Sequence, residues 1–153
     1  MAANSDFKEL LNLFEDCEVR YLVVGGYAVM HYCEPRYTKD LDIWVDASSG
    51  NAQNVFKALA RFGAPLKGIS PADFATEGLV YQMGVPPVRV DVIMSLDGVG
   101  FEDAWQSRER GEFEGSPVWF IGREHLIRNK TASGRHIDLH DVEQLRLRRK
   151  RQS

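Results

Sequence analysis

Apolar positions change period several times along the chain, and each change marks an element. Phe7, Leu10, Leu11 and Phe14 recur at i, i+3, i+4 and i+7, which predicts an amphipathic helix over residues 6–17, capped by Asp6 with Glu9 three positions on. The run Tyr21-Leu22-Val23-Val24 reads as a buried strand closed by Gly25-Gly26. A short helix over 27–33 is stopped by Glu34-Pro35, because the residue before a proline avoids helical geometry. Residues 36–39 form a polar turn. From 40 to 46 the period becomes two: Leu41, Ile43 and Val45 take one face, and Asp40, Asp42, Trp44 and Asp46 the other.

Ser48 and Ser49 are cap candidates for a helix carrying Val55, Ala58, Leu59 and Phe62 on one face. A loop over 63–71 leads into one helical turn at 71–75. Residues 79–83 and 88–94 flank Gly84-Val85-Pro86-Pro87 and read as an antiparallel pair. In the second of these, Val88, Val90, Val92 and Met94 share a face, and Arg89, Asp91 and Ile93 share the other. Residues 98–114 show little beyond a helical turn at 101–105. A strand at 118–121 precedes helices at 123–133 and 135–147, broken apart by Gly134, the second with Leu139, Val142 and Leu145 inward.

With 153 residues this pattern fits one domain, expected over 1–145 and followed by a basic tail at 146–153. The apolar share of 44% and charged share of 27% are those of an ordinary globular protein. A net charge of -3 argues against a generic nucleic-acid binder. Cys17 and Cys33 are the only cysteines and form no CxxC motif, as expected for reduced thiols. The N-terminus has no basic and apolar leader pattern, and no apolar run is long enough to span a bilayer. A cytoplasmic protein without a membrane partner is expected. The tail offers an RNA or an acidic protein a basic contact, although such ends are commonly just solvated.

The chemistry concentrates around Asp40 and Asp42. Side chains at i and i+2 of a strand share a face, and paired carboxylates bind hard cations through oxygen. Asp91 lies among apolar residues in a second strand; it either pairs with Arg89 or joins the other two around a cation. Mg²⁺ would offset the repulsion of three carboxylates and accept triphosphate oxygens. Gly25-Gly26, after a strand and before a helix, permits close backbone approach to an anion. It is neither a dinucleotide fingerprint nor a P-loop, because the further glycine or Gly-Lys-Ser/Thr is missing. Arg36, Thr38 and Lys39, and farther on Lys130 and Arg135, are cationic or hydroxyl candidates for phosphate contact; ordinary surface charge is the competing explanation. His136 and His140 stand four apart, but Ile137 occupies the place of the glutamate in HExxH, so no zinc site is assigned. His31 and His125 show no constellation.

Val23-Val24-Gly25-Gly26-Tyr27-Ala28, followed by Arg36-Tyr37-Thr38-Lys39-Asp40-Leu41-Asp42, resembles the Gly-Gly…Arg-x-Thr-x-Asp-Leu-Asp signature of small bacterial nucleotidyltransferases of the DNA polymerase beta-like superfamily. Some relatives of that group are toxins of toxin–antitoxin or phage-defence systems. Asp91 in Arg89-Val90-Asp91 is similar to the third metal carboxylate of the superfamily, and Lys130 with Arg135, Asp138 and Asp141 to its C-terminal pattern. The likeness is closest over residues 20–46, fair over 85–95 and loose over 122–145.

The resemblance implies an α+β, nucleotidyltransferase-like fold: a short mixed sheet with helices mainly on one face. It implies transfer of a nucleoside monophosphate from an NTP to an unidentified acceptor, a small molecule, tRNA or protein, with two Mg²⁺ that Mn²⁺ can replace. Asp40 and Asp42 would hold both ions and Asp91 the catalytic one. Gly25 and Gly26 would cradle the triphosphate, with Arg36, Thr38, Lys130 and Arg135 also at the nucleotide. Position 26 departs from the many members that carry serine there, and no fingers, thumb or RNA-binding domain accompanies the core. Templated synthesis is therefore not expected. A non-catalytic member of the fold that binds a nucleotide or a protein is the alternative; a DxD glycosyltransferase needs a longer nucleotide-sugar domain.

Overall fold

The two-residue alternation at 40–46 becomes a central strand of a mixed six-stranded sheet. The structure, a computed structural model, describes residues 2–33, 40–85 and 89–152. In chain order its elements are α1 (Ala2–Asp16), β1 (Tyr21–Val24), α2 (Gly25–Tyr32), β2 (Asp40–Val45), α3 (Ser49–Phe62), a 3-10 turn (Pro71–Ala75), β3 (Val80–Met83), β4 (Arg89–Ile93), α4 (Phe101–Gln106), β5 (Glu109–Phe113), β6 (Ser116–Phe120), α5 (Arg123–Ser133) and α6 (His136–Gln152). The strands lie in the order β3-β4-β2-β1-β6-β5. β2 runs parallel to β4 and antiparallel to β1, β1 is parallel to β6, and the outer pairs are antiparallel.

Alternation on these strands separates two faces. Tyr21 pairs with Val45, Ile43 with Val92 and Val92 with Tyr81, so all share one face with Leu41 and Val23. Phe14 of α1 meets Tyr21 edge-on, and Phe56 of α3 reaches Tyr81 through Phe74 of the 3-10 turn. α1, α3 and the turn therefore cover that face and bury Leu41, Ile43, Val45 and Val92 completely. The opposite face carries Asp40, Asp42, Asp91 and Trp44, and Trp44 is buried beneath Phe101 of α4.

Several boundaries differ from the sequence pattern. α1 starts at Ala2, which puts Asp6 inside the helix rather than at its cap. α2 begins at Gly25, so both glycines belong to its first turn instead of preceding it. Ser48 is the N-cap residue of α3, but its hydroxyl donates to Asp46 rather than to a helix N–H. β5 was not legible because, of Glu109-Arg-Gly-Glu-Phe113, Phe113 is the only buried residue, as suits an edge strand. Its hairpin to β6 turns through Glu114 and Gly115, both at positive φ (50° and 85°). Leu139, expected inward, is 50% exposed. The inward stripe of α6 is Asp138, Asp141, Val142 and Leu145, and the two aspartates face a lysine of α5. α6 runs on through the basic segment to Gln152. Among the described residues, no helix is long and apolar enough to cross a membrane.

Candidate active site

The parallel register of β2 and β4 fixes the carboxylates. Asp42 stands opposite Asp91, and Asp40 opposite Arg89. β1 brings Val24 opposite Asp42 from the other side, so the chain turns into α2 directly above that carboxylate. Gly25 has φ +67°, and a Cβ built on it would overlap Asp42 Oδ2 and lie 3.1 Å from Asp42 Cγ. Both the backbone angle and the space require glycine here. Gly26 is buried in the same first turn.

Asp42 is the most perturbed carboxylate of this group. Burial, followed by the neighbouring charges of Asp91 and Asp40, pushes it from 3.8 up to about 7, while Lys130 and Arg89 pull it partway back. The cationic neighbour that sequence spacing left as the plain explanation is present. Arg89 donates from Nε to Asp91 Oδ1 at 3.0 Å and from Nη2 to Asp91 Oδ2 at 3.1 Å, with Nε 3.6 Å from Asp40 Oδ2. Bidentate pairing with Asp91 raises the guanidinium above its usual range. As the side chains stand, no three His, Cys, Asp or Glu among the described residues form a ready metal cluster. The donors nevertheless suit a hard cation in kind, and their mutual repulsion at Asp42 is the charge such a cation would offset.

A cleft of about 400 Å³ opens beside Asp42. Val24, Asp42 and Ile93 line it from the sheet, Gly25 from the start of α2, Ser95, Leu96 and Asp97 from the loop after β4, and Asn129, Lys130, Ser133, Arg135 and Asp138 from the α5–α6 corner. Gly134, at φ +66°, turns that corner. Of the residues singled out in the sequence, Gly25, Asp42, Lys130 and Arg135 thus meet at one cavity. Asp91 and Asp40 adjoin Asp42 but are not on its wall, and neither is Gly26. Arg36 and Thr38, like Lys39, lie outside the described residues.

Lys130 is buried, with Nζ 3.1 Å from both Asp138 Oδ1 and Asp141 Oδ2. Burial alone would raise Asp138, yet hydrogen bonds from Arg135, Ser133 and Lys130 hold it at about 2. Arg135 reaches Asp138 at 2.6 Å while its side chain stays 73% exposed. Ser95, Asp97 and Asn129 had no signal in the sequence, since only the fold brings their loop and helix to Asp42. His125 Nδ1 lies 2.7 Å from Ser107 Oγ, a pairing that spacing did not reveal, but neither residue lines the Asp42 cleft.

Neither a protein-family model nor a curated protein matches the chain. Solved structures do. The lincomycin-bound lincosamide antibiotic adenylyltransferase LnuA superposes with a TM-score of 0.55 at 16% identity, over 93% of this chain and 95% of that one. An antigenic nucleotidyltransferase-like protein from Paracoccidioides brasiliensis gives a TM-score of 0.55 at 18% identity, over 94% of this chain and 74% of its own. The fold is that of the nucleotidyltransferases. The expected mixed α+β sheet architecture is thereby shown, in a nucleotidyltransferase-like arrangement spanning almost the whole chain.

Proposed function

We propose that this nucleotidyltransferase-like chain transfers a nucleoside monophosphate from an NTP to a hydroxyl of a small molecule. The observation that carries the reading is the meeting of Gly25, Asp42, Lys130 and Arg135 at one cleft, with Asp91 opposite Asp42 in the sheet. Asp40, Asp42 and Asp91 would hold Mg²⁺ or Mn²⁺, which when bound would supply positive charge for the triphosphate and lower the pKa of the acceptor hydroxyl. The N–H groups opening α2 at Gly25 suit an anionic phosphate. Arg135, the exposed base of the cleft, would balance charge on the leaving group.

In the transfer, the acceptor oxygen forms a bond to the α-phosphorus as the bond to the bridging oxygen of the β-phosphate breaks. Pyrophosphate leaves with that electron pair, and the acceptor proton passes to the carboxylate of Asp91. A small-molecule acceptor is favoured over tRNA or protein because a fold neighbour of nearly the same extent is a lincosamide adenylyltransferase, solved with lincomycin.

One observation favours the second reading, a member that binds without turnover: Arg89 already neutralises Asp91. Incubation with each α-labelled NTP, Mg²⁺ and separate pools of small hydroxyl compounds (lincomycin among them), tRNA and protein distinguishes the two. Label in the small-molecule pool, lost in Asp42→Asn, is the expected result. NTP binding with no label in any pool would establish the non-catalytic reading.

A further inference from the structure

We infer that a second cavity, adjoining the Asp42 cleft, is the acceptor site, and that it takes a small hydroxyl-bearing molecule with an apolar body and a protonated amine. This rests on the nucleotidyl-transfer reading above. The cavity measures about 390 Å³, and Ser95 and Leu96 line both it and the cleft. Trp44 forms its wall on the sheet side. Trp44 pairs with Ile93 one same-face step beyond the Asp42–Asp91 pair, a rise of about 6.7 Å along the strands. Trp44 and Phe101 line the cavity from the carboxylates' face and Met94 and Ala75 from the other, so it opens at the end of β2 and β4, one side-chain row from the carboxylates.

The lining dictates the class of occupant. Trp44 and Phe101 make an aromatic corner, with centroids 4.9 Å apart at 76°, and Met94, Leu96 and Val99 extend it. That surface favours an apolar body, and a volume of about 390 Å³ suits a small molecule rather than a polymer. Charge at the rim is of one sign. Asp46 and Glu77 line the cavity, and among its described lining residues there is no Lys, Arg or His. Asp46 is partly offset by Arg20 at 3.2 Å, whereas Glu77 is exposed at the mouth. Arg20 already lies over Phe101, 5.8 Å from its centroid, so it is the carboxylates, Glu77 above all, that attract an ammonium group. They repel phosphate, which the exposed Arg135 would meet in the first cleft.

Calorimetry at low salt, without NTP, tests this with three probes of similar size. Ephedrine carries an aromatic ring, a hydroxyl and a protonated amine; 1-phenylethanol lacks the amine; mandelate replaces it with a carboxylate. Ephedrine should bind saturably at or below about 1 mM, the weak end for a small-molecule site. 1-Phenylethanol should bind several-fold more weakly, and mandelate not at all. Gly100 lines the cavity, and a Cβ there meets no heavy atom within 4 Å. Gly100→Leu should therefore abolish ephedrine binding while ATP–Mg²⁺ binding persists, and Glu77→Gln should weaken ephedrine several-fold. Equal binding of mandelate, indifference to both substitutions, or no saturable ephedrine binding overturns the assignment. Loss of ATP–Mg²⁺ binding by the unsubstituted protein, with ephedrine binding intact, would instead count against the nucleotidyl-transfer reading.

Discussion

Asp42→Asn removes the carboxylate on which burial and two like charges converge, and its effect on stability is readable from pH alone. Asp42 is raised from 3.8 to about 7 in the folded chain. Between about pH 4 and 7 the folded protein therefore keeps a proton that the unfolded chain has lost. Stability from this group is fully present below about pH 4 and is lost as pH rises through about 7. Three pH units at about 1.36 kcal/mol each set a ceiling near 4 kcal/mol. Solvent and salt screening at a partly exposed carboxylate reduce that to about 2 kcal/mol. In a chain of 153 residues this corresponds to a Tm difference of about 4–8 °C.

The assay is a set of thermal melts from pH 5 to 8 in metal-free buffer. Wild type should lose Tm across the range, and the Asp42→Asn variant should hold a flatter line and melt higher at pH 8. Added Mg²⁺ should raise the wild-type Tm at pH 8 and leave the variant nearly unmoved. If the variant follows the wild-type slope and melts no higher at pH 8, Asp42 does not carry the repulsion assigned to it, and the case for a cation between these carboxylates falls with it.

Other substitutions separate the remaining roles. Arg89→Gln removes the guanidinium from Asp91 and Asp40. It should lower the metal-free Tm and reduce the Mg²⁺ concentration for half-maximal thermal shift; an unchanged half-saturation would show that Arg89 and the ion do not compete. Gly25→Ala carries a positive-φ penalty of about 1–2 kcal/mol plus displacement of Asp42, whereas Gly63→Ala at φ +92° carries the penalty alone. Urea unfolding should therefore rank Gly25→Ala as clearly the more costly. Lys130→Met removes the cation shared by the buried Asp138 and Asp141 in the α5–α6 seam and should cost about 3–5 kcal/mol in the same assay, partly restored by adding Asp141→Asn. Arg135→Gln takes one of three donors from the buried Asp138, so it should cost some stability, less than Lys130→Met, and weaken ATP–Mg²⁺ binding several-fold by calorimetry.

The readable parts of the fold were those in which hydrophobicity alone decides orientation. Residues 40–46 alternate because one face meets α1 and α3, and that face is buried as the alternation required. The end of α5 was legible because Gly134 stands there, at φ +66°. Pattern fails where charge occupies the interior. A sequence ranks Leu139 inward and Asp138 outward; the fold does the reverse, because Lys130 lies in the seam and a buried cation needs carboxylates more than another leucine. β5 was lost for the opposite reason, as an edge strand has little hydrophobic face to display. The acids of the site were legible by kind, but their pairing was not. That Asp42 faces Asp91 and Asp40 faces Arg89 is a matter of register between strands far apart in the chain.

That register bears on how the cleft would fill. Two self-neutralised clusters flank it: Arg89 with Asp91 and Asp40 on the sheet, and Lys130 and Arg135 with Asp138 and Asp141 at the helix corner. On the proposed reading, a nucleotide bearing a cation would enter by exchanging partners, the cation for Arg89 at Asp91 and Asp40 and the phosphates for a carboxylate at one of the bases. The exchange is cheap where the displaced group can reach water. Arg89 is one-third exposed and Arg135 mostly exposed, so both can turn outward. Lys130 is 6% exposed and held by two buried aspartates, and freeing it would leave charges in the interior without water. Of the two bases expected at the nucleotide, Arg135 is therefore the one able to trade its carboxylate for phosphate, while Lys130 fixes the wall against which that trade takes place.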